Sequence, residues 1–155
     1  ARCEPNAAHV SLAEWSKLGR GTLVTQNVDG LHERAGHADV IRYHGSMWFN
    51  RCTVCRTERE ARELEYAELP RSRCCGALER PGVVWFGEEI PHAAATAADA
   101  AMRRADAVLV AGTSAQVWPA AGFLDEAESP RSNAADGLDG VVAVLRGEAG
   151  DLAAE

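Results

Sequence analysis

No apolar run in this 155-residue chain approaches the roughly 20 residues that a helix needs to cross a bilayer. No transmembrane helix and no membrane partner are expected. No secretory signal is visible at its start. Positive charge is in deficit: 16 Lys and Arg stand against 23 Asp and Glu, a net charge of −7. That balance argues against nucleic acid as a partner and is compatible with a cationic peptide. Cysteines do not come as an even, dispersed set. The five of them, Cys3, Cys52, Cys55, Cys74 and Cys75, are odd in number and clustered. Without a secretory signal this points to metal binding rather than a disulfide framework, and to a cytoplasmic location. No G-x-G-x-x-G follows any expected strand, so there is no obvious pyrophosphate loop. Gly19-Arg20-Gly21 precedes a strand and cannot serve as one.

What is present suits one domain with a real core. The chain opens at Ala1, in what reads as the lead-in to a helix, and is expected to be an excerpt of a larger protein. Asn6 can cap a helix running to about Lys17, with a stop at Gly19. Thr22–Thr25 reads as a short buried strand. A loop and short helix follow, ending at Gly36. Val40–Tyr43 is a second strand and Val83–Phe86 an extended segment. Pro91–Ala105 is an Ala-rich helix with proline near its start. Ala107–Ala111 is a continuous apolar run, typical of a strand buried on both faces. Another helix is expected over Pro119–Glu128, a polar loop over Ser129–Gly140, a last strand over Val141–Leu145 and a short helix over Glu148–Ala154.

Strands alternating with helices predict an α/β domain with a mainly parallel sheet. The cysteine-bearing segment interrupts the alternation and reads as a small insertion. In it, Cys52-x-x-Cys55 can present two thiolates from one turn to a tetrahedral ion, and Cys74 follows at zinc-ribbon distance. The second pair, Cys74-Cys75, is adjacent. Ser72 stands where the first cysteine of a C-x-x-C ending at Cys75 would be. Two readings stay open: a structural four-cysteine zinc site, or ordinary thiols.

Three polar segments sit where strands end. Gln26, Asn27 and Asp29 follow the first strand, where Asn and Asp can bind an amide or ribose hydroxyls, or merely form turns and cap helices. His44 follows the second strand and precedes Gly45-Ser46. It can project into a cleft as a general base, or be a hydrogen-bonded structural histidine. Gly112-Thr113-Ser114 follows the buried strand. Its hydroxyls and backbone N–H groups suit a nucleotide, and are also plain loop chemistry.

Taken in order, these segments resemble the sirtuins, NAD-dependent protein-lysine deacylases. The carriers are Thr25-Gln26-Asn27-Val28-Asp29-Gly30-Leu31-His32 with Ala35-Gly36, then His44-Gly45-Ser46, then Arg80-Pro81-Gly82-Val83-Val84-Trp85-Phe86-Gly87-Glu88, then Gly112-Thr113-Ser114 with Val117-Trp118-Pro119-Ala120-Ala121. The resemblance spans about Glu4 to Ala127. It implies a partial Rossmann-like NAD-binding domain over 1–47 and 80–155, with a zinc-ribbon module inserted over 48–79. It implies NAD at Gln26, Asn27, Asp29, Gly112, Thr113 and Ser114, with the nicotinamide near Asn27 and Asp29. Zinc would be held by Cys52, Cys55, Cys74 and Cys75. His44 would be the catalytic base on a ribose hydroxyl. An acyl-lysine peptide would meet Val84, Trp85, Phe86, Gly87, Glu88 and Val117, pairing as an extra strand between 85–88 and 116–118.

Departures from the pattern are equally specific. The family's first strand, its glycine-rich phosphate loop and its acyl-recognition segment are expected before Ala1. The sheet is therefore expected to expose an unpaired edge and apolar surface, and the chain alone to have little deacylase activity. A non-catalytic remnant serving as a zinc-ribbon or peptide-binding module is the second reading. An unrelated zinc-ribbon protein is a third, and leaves the other motifs unexplained.

Overall fold

The computed structural model describes residues 3–19, 21–61, 65–105, 107–111, 131–134 and 141–145. Asn6 starts helix α1 (Ala7–Lys17): its side chain accepts the His9 N–H, and the His9 ring reaches back to the Asn6 N–H. This reciprocal cap satisfies two donors that the first turn leaves orphaned. Strand β1 (Gly21–Thr25) leads to α2 (Leu31–Arg34), β2 (Val40–Arg42), β3 (Gly45–Cys52), β4 (Glu58–Glu60) and β5 (Glu79–Val83). Helix α3 (His92–Arg103) then precedes β6 (Ala107–Ala111), β7 (Arg131–Ala134) and β8 (Val141–Leu145).

Five strands form one sheet in the order β2-β1-β8-β6-β7. Successive residues of β1 point to opposite faces, and each face has its own helix. Leu23 packs with Leu12 of α1 and with Ala111. Val24 packs with Tyr43, Val108, Val110 and the Ala98, Ala101 and Met102 stripe of α3. The sheet is thus covered on both sides, the arrangement expected of a Rossmann-like α/β layer.

The expected sheet gains one feature and is corrected in another. β1 and β2 run parallel, as do β6 and β7, but β8 lies antiparallel between β1 and β6. Ala143 pairs with Leu23 on one side and Leu109 on the other. β8 thus completes the ladders of β1 and β6 at once, and the order ends in β2 and β7, each paired on one side. Secondly, Arg131–Ala134 is a strand paired with β6, within the stretch expected to be loop. A polar segment is tolerated there because β7 closes the end of the strand order.

A smaller antiparallel sheet, β4-β3-β5, carries the cysteines. Its middle strand β3 begins at Gly45 and β5 ends at Val83, so its inner end abuts the ends of β1 and β2. The buried Glu79 carboxylate pairs with Arg59 at 2.7 Å, satisfying a charge that burial would otherwise penalise.

Candidate active site and metal centre

The loop leaving β1 is held by its own polar groups. The Asn27 N–H donates to Thr25 Oγ1 at 3.1 Å, and Asp29 Oδ1 accepts the Leu31 N–H at 2.9 Å in a turn that leads into α2. The Met47 N–H donates to the Val28 carbonyl at 3.0 Å. Trp48 closes the loop: its indole Nε1–H donates to the Asp29 carbonyl. Gly30 has φ +72°, and a Cβ there would lie 2.7 Å from Trp48 Nε1. Only glycine meets both the conformation and the approach. Trp48 was not among the expected site residues. Its signal in the sequence was slight, an aromatic four residues after His44, because its partners lie 18 and 19 positions upstream.

His44 sits in the turn between β2 and β3, half-buried. Its Nδ1 is 3.2 Å from the Gln26 carbonyl oxygen. A carbonyl only accepts, so Nδ1 carries the proton of the neutral ring and Nε2 presents its lone pair. The His44 carbonyl accepts the Val84 N–H at 2.9 Å. Beside it Gly45 has φ +78°, and a Cβ there would be 2.1 Å from the Gly82 carbonyl oxygen. Three of the segments singled out in the sequence thus meet at one residue.

Beyond Val84 the chain turns rather than staying extended to Phe86. The Glu88 N–H donates to the Trp85 carbonyl and Glu88 Oε2 accepts the Trp85 N–H, both at 3.0 Å. Arg80 pairs with Glu88 and stacks its guanidinium 4.3 Å over the Trp85 ring. The Trp85 N–H first, and Arg80 with it, hold the Glu88 carboxyl below its usual range. Phe86, 98% exposed, projects from this clamp. A groove of about 590 Å³ runs between Arg51, Arg56 and Glu58 on one side and Glu88–His92 on the other, and does not include His44. Gly112, Thr113, Ser114 and Val117 lie outside the described residues.

His32, in the same motif as Asn27 and Asp29, faces inward and is 1% exposed, with its ring 4.5 Å from that of His9. It belongs to the packing of α1 on α2 rather than to the site.

Cys52, Cys55 and Cys75 bring their sulfurs within 4.8 Å of one another. Cys75 is 3.5 Å from each of the other two. Tetrahedral zinc with Zn–S bonds of about 2.3 Å sets its thiolates about 3.8 Å apart, so this trio fits the ion. Thr57 hydrogen bonds, with smaller contributions from Cys52 and Ser72, pull the Cys55 thiol down to about 6, towards the thiolate that metal requires. Cys74 is exposed and stands outside the trio, though near enough to Cys55 for its thiol to be pushed up. Of the four expected ligands, the fold therefore gathers three.

Residues 1–119 match the model of the Sir2 family. The NAD-dependent protein deacylase 1 of Archaeoglobus fulgidus is 49% identical over 120 residues, which are 76% of this chain and 49% of that protein. The crystal structure of a Sir2 homolog–NAD complex superimposes with a TM-score of 0.77 at 44% identity, covering 85% of this chain and 54% of that one. A Sir2–p53 peptide–NAD⁺ structure gives 0.75 at 32% identity, covering 89% and 61%. The chain spans about half the length of the curated relatives it matches.

Proposed function

We propose that this chain, which belongs to the Sir2 family, supplies the catalytic base and the peptide-binding strand of an NAD-dependent protein-lysine deacylase. The observation that carries this reading is the convergence on His44: its ring on the Gln26 carbonyl, its own carbonyl on the Val84 N–H.

Gln26, Asn27 and Asp29 would hold the nicotinamide and ribose end of NAD. Their loop is polar, half-buried and fixed from both sides, so its donors and acceptors are preorganised. When bound, NAD supplies the sugar to which the acyl group passes as nicotinamide leaves. His44 does the proton work. With Nδ1–H donated to Gln26, Nε2 keeps its lone pair and can take the proton of a ribose hydroxyl. A cationic acyl-lysine peptide would lie as an added strand beside Val84, with its apolar stem against Val84 and Phe86. The net charge of −7 favours such a partner. The zinc module would be structural, since a site closed by protein ligands leaves no position for substrate. The free thiols this requires suit a reducing, cytoplasmic setting.

Deacylation belongs in this reading to the whole protein, and the 155-residue chain alone would turn over little. In the full-length protein, His44→Ala should remove nearly all NAD-dependent deacylation while leaving the circular dichroism spectrum unchanged. Normal turnover by that variant would overturn the assignment.

A further inference from the structure

We propose that the metal site is a three-thiolate centre whose fourth donor is an oxygen at Ser72, with Cys74 left as a free thiol. The proposal rests on the zinc reading and departs from the four-cysteine set that the sequence suggested.

Ser72 is 4% exposed, unusual for a serine in so polar a module. Its hydroxyl lies 3.7 Å from Cys55 Sγ and 3.4 Å from Thr57 Oγ1, and it accepts the Cys74 N–H at 3.3 Å. An oxygen and a sulfur on one tetrahedral zinc, at bond lengths of about 2.0 and 2.3 Å, are about 3.5 Å apart. The 3.7 Å between the Ser72 hydroxyl and Cys55 Sγ is close to that spacing, and it sets the oxygen beside the trio on the Cys55 side.

Backbone geometry explains why Cys74 does not take that place. Residues 72–76 form a knuckle in which the Gly76 N–H donates to the Ser72 carbonyl at 2.8 Å. The knuckle directs the side chains of Ser72 and Cys75 towards the Cys52–Cys55 turn. Cys74, immediately before Cys75, stays on the flank of Cys55, and its sulfur falls outside the Cys52–Cys55–Cys75 cluster. The second half of the metal site is thus a Ser-x-x-Cys knuckle, one that presents an oxygen and a sulfur. An oxygen donor is harder than thiolate. The centre should accordingly bind metal less tightly than a four-thiolate site.

Two measurements on the 155-residue chain test this. The first counts thiols that react with a disulfide reagent in the zinc-loaded protein. Of five cysteines, three are ligands, so Cys3 and Cys74 should react. Protection of Cys74 would overturn the proposal. The second is the thiolate-to-metal charge-transfer band of the cobalt(II)-loaded chain. Cys74→Ser should leave its intensity unchanged, and Cys75→Ser should remove about one third. Ser72→Cys should add about one third and tighten metal binding at least tenfold. Loss of intensity in Cys74→Ser, or none gained in Ser72→Cys, would refute the assignment while leaving the metal site in place. A chain that takes up no metal would overturn both.

Discussion

His44 Nδ1 lies 3.2 Å from the carbonyl oxygen of Gln26, and this one contact decides which ring nitrogen is available for chemistry. The first prediction is spectroscopic. In ¹⁵N-resolved spectra, the uncharged His44 ring should carry its proton on Nδ1. A ring found with its proton on Nε2 would remove the basis for its role as a base.

Gly30 and Trp48 make the second. Gly30→Ala forces a side chain into a left-handed conformation and against the indole nitrogen. It should cost about 1–3 kcal/mol by urea denaturation. Gly36, also left-handed with φ +95° but with nothing within 4 Å of its Cβ position, should tolerate alanine better. Equal costs at the two positions would mean that Trp48 does not seat on Gly30.

The third concerns pH. Burial, reinforced by the neighbouring His9 and His37, pushes His32 down to about 4 against the opposing pull of Asp29 and Glu33. Burial also lowers His9 and His37, against the pull of Asp29 on the first and of Asp39 and Glu33 on the second. Between pH 6.5 and 4 the unfolded chain binds the His32 proton and the folded chain does not. Stability from this group is therefore full above pH 6.5, falls as pH drops, and has gone by about pH 4. Neither ring nitrogen of His32 has a hydrogen-bond partner among the described residues. His32→Leu should accordingly fold and show a shallower loss of denaturation midpoint over that range. An unchanged slope would place the pH dependence elsewhere.

The fourth tests the place of β8. Ala143 is paired on both sides, so Ala143→Pro removes a ladder hydrogen bond in the middle of the sheet. The chain should lose cooperative unfolding, or at least about 3 kcal/mol. Ser132→Pro, in the strand that ends the order, should cost clearly less. The reverse ranking would contradict the strand order.

Much of this molecule is legible one segment at a time. The Asn6 cap, the Ala107–Ala111 strand, the α3 helix and the Cys52-x-x-Cys55 turn follow from local rules: cap chemistry, apolar periodicity, ligand spacing. The motif order also places Asn27, His44 and Val84 in one family of sites. What local rules do not carry is how segments far apart in the chain meet. The apolar run Val141–Leu145 declares a strand but not its direction or neighbours, because an apolar strand completes a ladder equally well either way round. Trp48 looked like an ordinary residue of the cysteine module until β3 set it against Gly30. Cys74 and Cys75 are equal as letters. Only the knuckle around Ser72 brings the Cys75 sulfur, and not that of Cys74, into the cluster with Cys52 and Cys55.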